Sequence, residues 1–280
     1  MVRDAGDPDG APVLYFHGTP GSRLDVGNAD DAAAADGIRL ISFDRPGYGR
    51  SDPAPYGLHQ VALDAAHVAD RLGVDTFATL GWSGGGPFAL ATAAVLGDRF
   101  IGAGVLCGPG PFQEVPGAID GLDDASRRAL ALLPEDLPGA VEQFCAGSDL
   151  MLSVRDDEAA FMAGMEAMFA GADRKVLADP ALRHHLYVTM HEGLAQGFTA
   201  VGWDNVAWVG TWDVDLAAVR CPVRLRYGEQ DRSIPIAHGE WLAEHLLDAE
   251  LVTEPGARHL WPLRRWRTLL QALTASTHRA

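Results

Sequence analysis

Six short apolar runs punctuate this chain: Val13–His17, Ile38–Asp44, Thr76–Gly81, Ile101–Gly108, Val223–Gly228 and Glu250–Thr253, each running into a turn residue. A continuous apolar run between turn signals suits a strand covered on both faces, whereas a strand with one wet face alternates. Segments with a helical period lie between them. In Gly57–Leu72, residues Leu58, Val61, Ala62, Ala65, Val68, Ala69 and Leu72 form one stripe of a 3.6-residue period, and Gly73 follows as a stop. Gly85–Leu96, Ile236–Leu247 and Pro262–Ala275 read the same way. Strands alternating with helices require right-handed crossovers, so the fold class is α/β, a mostly parallel twisted sheet with helices on both faces.

The alternation lapses between about Phe112 and Val219. Ala125–Leu133, Pro138–Ala146, Asp156–Ala170 and Pro180–Glu192 carry helical patterns, and no strand is expected there. The reading is a core formed by residues 1–111 and 220–280, with an all-helical insertion over 112–219; the milder alternative is simply more of the main fold.

Composition excludes several partners. The net charge of −16 repels phosphate backbones and anionic lipid, so neither nucleic acid nor a membrane is expected to bind. Cys107, Cys145 and Cys221 make no disulfide framework, and no Cys/His set has zinc-binding spacing, so no metal is expected. The opening MVRDAGDPDGAP lacks a basic region and apolar run, and no stretch approaches the ~18 apolar residues of a membrane span. A cytoplasmic protein with a small-molecule substrate fits these features, as monomer or homodimer.

The chemistry centres on Gly81-Trp82-Ser83-Gly84-Gly85, a G-x-S-x-G pentapeptide placed after a predicted strand and before a predicted helix. A serine on such a turn is held strained with its hydroxyl above the sheet, and glycines two positions either side let the flanking backbones pass. The following helix aims its positive end at the site. A serine hydroxyl needs a base to attack. Of ten histidines, His259 alone follows the last strand on a loop, in Glu254-Pro255-Gly256-Ala257-Arg258-His259, at the sheet edge where open α/β folds place their sites. His59, His67, His238 and His245 lie in helical patterns, His184, His185 and His191 in the insertion, His278 in the tail, and His17 reads as structural. Asp231, after the strand Val223–Tyr227, reaches the same edge and would orient the base; Glu229, Asp204 and Asp213 are rivals. The order Ser, Asp, His is that of the strand–elbow hydrolases. Oxyanion donors are expected from the backbone N–H groups of Gly84 and, in His17-Gly18-Thr19-Pro20-Gly21, of Thr19, with the Thr19 side chain unimportant.

With these residues in place, the chain resembles the α/β-hydrolase family over nearly its whole length. His-Gly-Thr-Pro-Gly at 17–21, Asp44-Arg45-Pro46-Gly47-Tyr48-Gly49-Arg50-Ser51, the elbow at 81–85, Gly228-Glu229-Gln230-Asp231 and Pro255–His259 fall in family order. The resemblance implies that 112–219 is a helical cap, that Asp44 and Arg45 are scaffold, and that no cofactor is used. It also implies an opening antiparallel hairpin. Only Met1–Pro12 precedes the His-Gly strand, room for the end of one strand and a turn, so the first family strand is expected to be missing. Relatives that dehalogenate or open epoxides carry Asp at the elbow, which argues against those activities here. Proline iminopeptidases carry Gly-Gly-Ser-Trp-Gly, whereas this chain has Gly-Trp-Ser-Gly-Gly.

The leading expectation is a serine hydrolase that cleaves a carboxylic ester through an acyl-enzyme on Ser83. The same three residues could serve an amide or imino-peptide, a lactone or a C–C bond, with Glu142, Asp149 or Glu166 as anchor for a substrate amine. A non-catalytic ligand-binding protein is the remaining alternative. An apolar pocket is expected from Trp82, Phe112, Met165 and Leu260, with Met162, Met168, Phe169, Trp203 and Trp208 as further candidates.

Overall fold

A computed structural model describes residues 1–274; Ala275 and His278, placed by the sequence in the last helix and the tail, lie outside the described residues. Among the described residues seven strands form one sheet: β1 (Val2–Gly6), β2 (Ala11–Phe16), β3 (Ile38–Phe43), β4 (Phe77–Trp82), β5 (Phe100–Leu106), β6 (Val223–Gly228) and β7 (Ala249–Glu254). Their order across the sheet is β1-β3-β2-β4-β5-β6-β7. Only β1, at the edge, runs antiparallel, with Val2 opposite Phe43 and Gly6 opposite Arg39. The other ladders are parallel. Met1–Pro12 thus supplies one five-residue strand and a turn.

The helices are α1 (Asp30–Ala35), α2 (Leu58–Arg71), α3 (Gly86–Leu96), α4 (Asp124–Leu130), α5 (Leu137–Phe144), α6 (Asp149–Ser153), α7 (Glu158–Met168), α8 (Ala172–Leu177), α9 (Pro180–Gly193), α10 (Thr199–Val209), α11 (Ala237–His245) and α12 (Trp266–Thr274). Helices α4 to α10 all fall between β5 and β6, with no strand among them.

Both sheet faces are covered, which explains the unbroken apolar runs. On β2, Val13 and Tyr15 point into one core with Trp266, Leu269 and Leu270 of α12. Leu14 and Phe16 point the other way, onto Leu58, Val61 and Ala65 of α2 and Phe88 of α3. Each fully buried side chain of this size contributes about 1.5–3 kcal/mol. The α2 stripe is a clear case of sequence setting local structure: Leu58, Val61, Ala62, Ala65 and Ala69 are buried. Helix α3 shows no such stripe because it runs under the centre of the sheet, with every residue from Gly86 to Ala93 buried. The C-terminal helix begins later than periodicity predicts: Trp261–Arg264 is a 3₁₀ turn, and α12 starts at Trp266. No helix among the described residues is long and apolar enough to cross a membrane.

Candidate active site

The turn after β4 is tightly constrained. Ser83 has φ 52°, in the left-handed region that costs a non-glycine residue energy. Its flanks explain how the turn closes. A Cβ on Gly81 would stand 2.3 Å from the Gly85 carbonyl oxygen, and one on Gly85 would stand 2.1 Å from that of Phe16. The glycines two residues before and two after Ser83 are therefore required by close backbone approach.

The loops after β6 and β7 bring two more side chains to this point. His259 Nε2 lies 2.9 Å from Ser83 Oγ, and Asp231 Oδ2 lies 2.7 Å from His259 Nδ1. The second oxygen of Asp231, Oδ1, accepts from the N–H groups of Ser233 and Ile234 at 2.8 and 3.1 Å. The three residues, 176 and 28 positions apart along the chain, form one unbroken hydrogen-bonded line. Burial alone would push the His259 imidazole down, but the Asp231 carboxylate, by charge and hydrogen bond, raises it well above its ordinary value. For Asp231 burial works upward, and His259 with the two amides outweighs it, holding the carboxyl below its usual range.

The loop carrying His259 is clamped from two sides. Trp82 Nε1 donates to the His259 carbonyl at 3.3 Å. Asp173 of α8 accepts from the Leu260 N–H at 2.8 Å. Asp173 is a buried carboxylate that the sequence offered no means of singling out, since its partner is a backbone amide 87 residues away.

Cys107, just after β5, is the other non-glycine residue with positive φ among the described residues. Its Sγ, a carboxylate oxygen of Asp231 and a ring nitrogen of His259 lie within 4.8 Å of one another. That cluster has metal-ligand compactness which linear spacing could not show, but Nδ1 of His259 is committed to Asp231 and Cys107 Sγ accepts from Trp261 Nε1 at 3.3 Å. Burial pushes the Cys107 thiol up, so it stays protonated, whereas a coordinating sulfur would be a thiolate.

The His-Gly turn after β2 lies against the elbow. The Gly18 N–H donates to buried Asp25 at 3.0 Å, which also accepts from Tyr15. His17 is structural: its Nε2 accepts from the Arg45 N–H at 3.4 Å, and burial followed by the Arg45 charge keeps the ring neutral. The expectation that only the Thr19 backbone matters is corrected. Thr19 Oγ1 donates to Asp204 Oδ2 at 2.6 Å and accepts from Arg45 at 3.3 Å, and it stands 2.2 Å from where a Gly84 Cβ would be. The side chain ties the turn to a buried ion pair and sets its spacing from the elbow.

Asp204 belongs to that pair and is no rival to Asp231. Both its oxygens are engaged by Arg45, at 2.9 and 2.5 Å, and by Tyr56 and Tyr48 hydroxyls at 2.7 and 2.6 Å. Asp213 accepts from the His59 N–H at the start of α2, and Glu229 from the Gly256 N–H.

Ser83 opens into a cavity of about 350 Å³. Trp82, Met165 and Leu260 line it, as do Met168, Phe169 and Trp208. Phe112 does not: its ring packs behind Trp208 and on His238, at centroid distances of 5.6 and 5.0 Å, in a small separate core. Met162 is interior, and Trp203 lines a different cavity near Tyr56 and Leu137. Met151, Leu186, Met190 and Phe198 line the Ser83 cavity although nothing in the sequence marked them. Met151, Leu186 and Met190 sit on helices with apolar residues on more than one side, so periodicity cannot say which side faces the sheet edge, and Phe198 lies in the bend just before α10. Of the candidate amine anchors, Glu166 is paired with Arg183 at 2.7 Å, and neither it, Glu142 nor Asp149 lines the cavity.

A family model described as alpha/beta hydrolase fold matches residues 11–263. A non-heme haloperoxidase from Rhodococcus erythropolis is 27% identical over 255 residues, covering 89% of this chain and 86% of that protein. Among solved structures, a bromoperoxidase from Bacillus anthracis superposes with a TM-score of 0.74 at 21% identity, over 99% of this chain and 94% of the other. A carboxylesterase structure from the thaumarchaeon Nitrososphaera gargenis gives a TM-score of 0.69 at 18% identity, over 100% and 96%.

Proposed function

The chain belongs to the alpha/beta hydrolase fold family and is a hydrolase; within that family we propose that it cleaves a carboxylic ester of a small, largely apolar substrate through an acyl-enzyme on Ser83. One observation carries the reading: Ser83 Oγ, His259 and Asp231 are hydrogen-bonded in series at 2.9 and 2.7 Å above an apolar cavity.

In the proposed cycle Ser83 Oγ attacks the ester carbonyl as His259 Nε2 takes its proton, and Asp231 stabilises the imidazolium. The N–H groups of Gly84 and Thr19 receive the developing oxyanion. The imidazolium then returns the proton to the leaving alkoxide, and water repeats the sequence on the acyl-enzyme. The substrate preference follows from the lining: methionines and aromatics offer adaptable apolar contact. The helical segment 112–219 is proposed to act as the cap over this site, since Met151, Met165, Leu186 and Phe198 come from it. The imino-peptide alternative loses support because no carboxylate of the insertion lines the cavity to hold an amine.

Short-chain p-nitrophenyl esters test the proposal. Wild-type protein is expected to turn them over, faster than prolyl-arylamides, and Ser83→Ala is expected to lower the rate by about 10⁴-fold or more. Turnover retained in Ser83→Ala would remove the nucleophile assignment.

A further inference from the structure

Helix α10 ends beside the elbow, and Trp208 is its last aromatic side chain. Its indole packs on Phe112, and its carbonyl accepts from Trp212 Nε1 at 3.0 Å. Its own Nε1 is buried and meets no protein acceptor among the described residues. A buried donor without an acceptor is costly and uncommon, so one that lines a cavity beside a serine hydroxyl calls for a partner there. Trp266 has a similar buried N–H, but its ring is wedged against Tyr15 and Trp82 and does not line the Ser83 cavity. Trp208 does, together with Thr19, Ser83, Gly84 and His259.

Its position can be bounded. Trp208 Nε1 lies 3.5 Å from the point where a side chain on Gly84 would begin. That point is about 2.5 Å from the Gly84 amide nitrogen by ordinary covalent geometry. The two nitrogens are then at most about 6 Å apart, within the roughly 6.4 Å that two N–H···O bonds of up to about 3.2 Å can span, so one oxygen can lie within reach of both.

We propose that the Trp208 indole N–H is a third donor to the substrate carbonyl oxygen, alongside the Gly84 and Thr19 amides. The proposal rests on Ser83 being the nucleophile. As Ser83 Oγ bonds to the carbonyl carbon and its proton passes to His259 Nε2, the C=O π pair moves onto oxygen. The N–H···O bond from Trp208 strengthens as that charge grows, so it favours the transition state over the ground state. The donor comes from the helical insertion, which makes that segment part of the catalytic apparatus as well as a wall of the pocket.

Trp208→Phe keeps an aromatic ring against Phe112 while removing the donor together with part of the indole's bulk. The expected result is a fall of about 100-fold in kcat/KM for p-nitrophenyl butyrate, carried by kcat with KM changed little, and a parallel loss of affinity for a trifluoromethyl ketone that mimics the tetrahedral adduct. A folded Trp208→Phe protein with unchanged kcat/KM and inhibitor affinity would overturn the proposal. If that variant does not fold, wild-type protein labelled with ¹⁵N at its indoles provides the test: on forming a fluorophosphonate adduct, one indole N–H resonance in contact with the inhibitor should move downfield, and no movement would overturn the proposal. Absence of label on Ser83 in the wild type is a separate outcome, which removes the nucleophile reading and this inference with it.

Discussion

At the scale of single residues, the chemistry depends on how two opposed effects settle at His259. Burial disfavours its charged form, yet Asp231 overrides that and raises its pKa well above the ordinary value. A base must be neutral to take the Ser83 proton, so kcat/KM is expected to rise with pH through an apparent pKa above about 6.5. Asp231→Asn removes the override and leaves burial, so the limb should move to lower pH while kcat falls by about 10³–10⁴-fold; a pH–rate profile on both proteins checks the direction. The same shifts bear on stability with opposite signs. The raised His259 contributes stability fully present below its unfolded pKa, lost as pH rises through the folded one. The depressed Asp231 contributes stability present above its unfolded pKa, lost as pH falls through its folded value. Thr19 gives a second residue-level prediction. Thr19→Val deletes the hydroxyl between Asp204 and Arg45 and should cost about 1–3 kcal/mol by urea unfolding, with a fall in kcat, since the turn it anchors abuts Gly84. The meeting of Ser83, His259 and Asp231 was legible because each carries a local mark: a strand-to-helix pentapeptide, or a loop directly after a strand. Asp173 and the Thr19 hydroxyl carry no such mark, because their partners are distant in sequence.

At the scale of elements, α10 is the part that periodicity missed and the structure makes central. It carries Asp204 to Arg45, Tyr48, Tyr56 and Thr19 on one side, and Trp208 to the cavity on another. Apolar residues occur all round it, so no single stripe announced a helix. The short helices α1, α6 and α8 escaped for a different reason, being five or six residues long. The Arg45–Asp204 pair is fully buried, both side chains having 0% exposure. Removing one partner strands the other charge, so Asp204→Ala should cost about 3–5 kcal/mol. Replacing both by apolar residues of similar volume should recover part of that loss, a comparison that chemical unfolding of the single and double variants can make. Phe112 shows the limit of placing a residue by its strand alone: it follows β5 as a pocket residue should, but the chain turns at Pro111 and lays the ring on His238.

At the scale of the whole molecule, the fold class was readable from alternation, because a parallel sheet covered on both faces demands unbroken apolar strands. The net charge of −16 acts at this scale as well. Self-repulsion destabilises the compact state, and salt screens it over roughly 8–10 Å near 0.1–0.15 M. Thermal unfolding is therefore expected to shift up by a few degrees between low and 0.15 M salt, although salt also weakens exposed pairs such as Arg127–Asp124; a midpoint that falls would mean those pairs outweigh the net charge. The central claim is that the residues converging at the C-terminal edge of the sheet make Ser83 a nucleophile. The most direct measurement is reaction with a serine-directed fluorophosphonate followed by peptide mass mapping of wild type, His259→Ala and Ser83→Ala. The prediction is a single phosphonyl group on Ser83 in wild type, a strongly slowed reaction in His259→Ala, and none in Ser83→Ala. Label on another residue, or equal rates in wild type and His259→Ala, would contradict it.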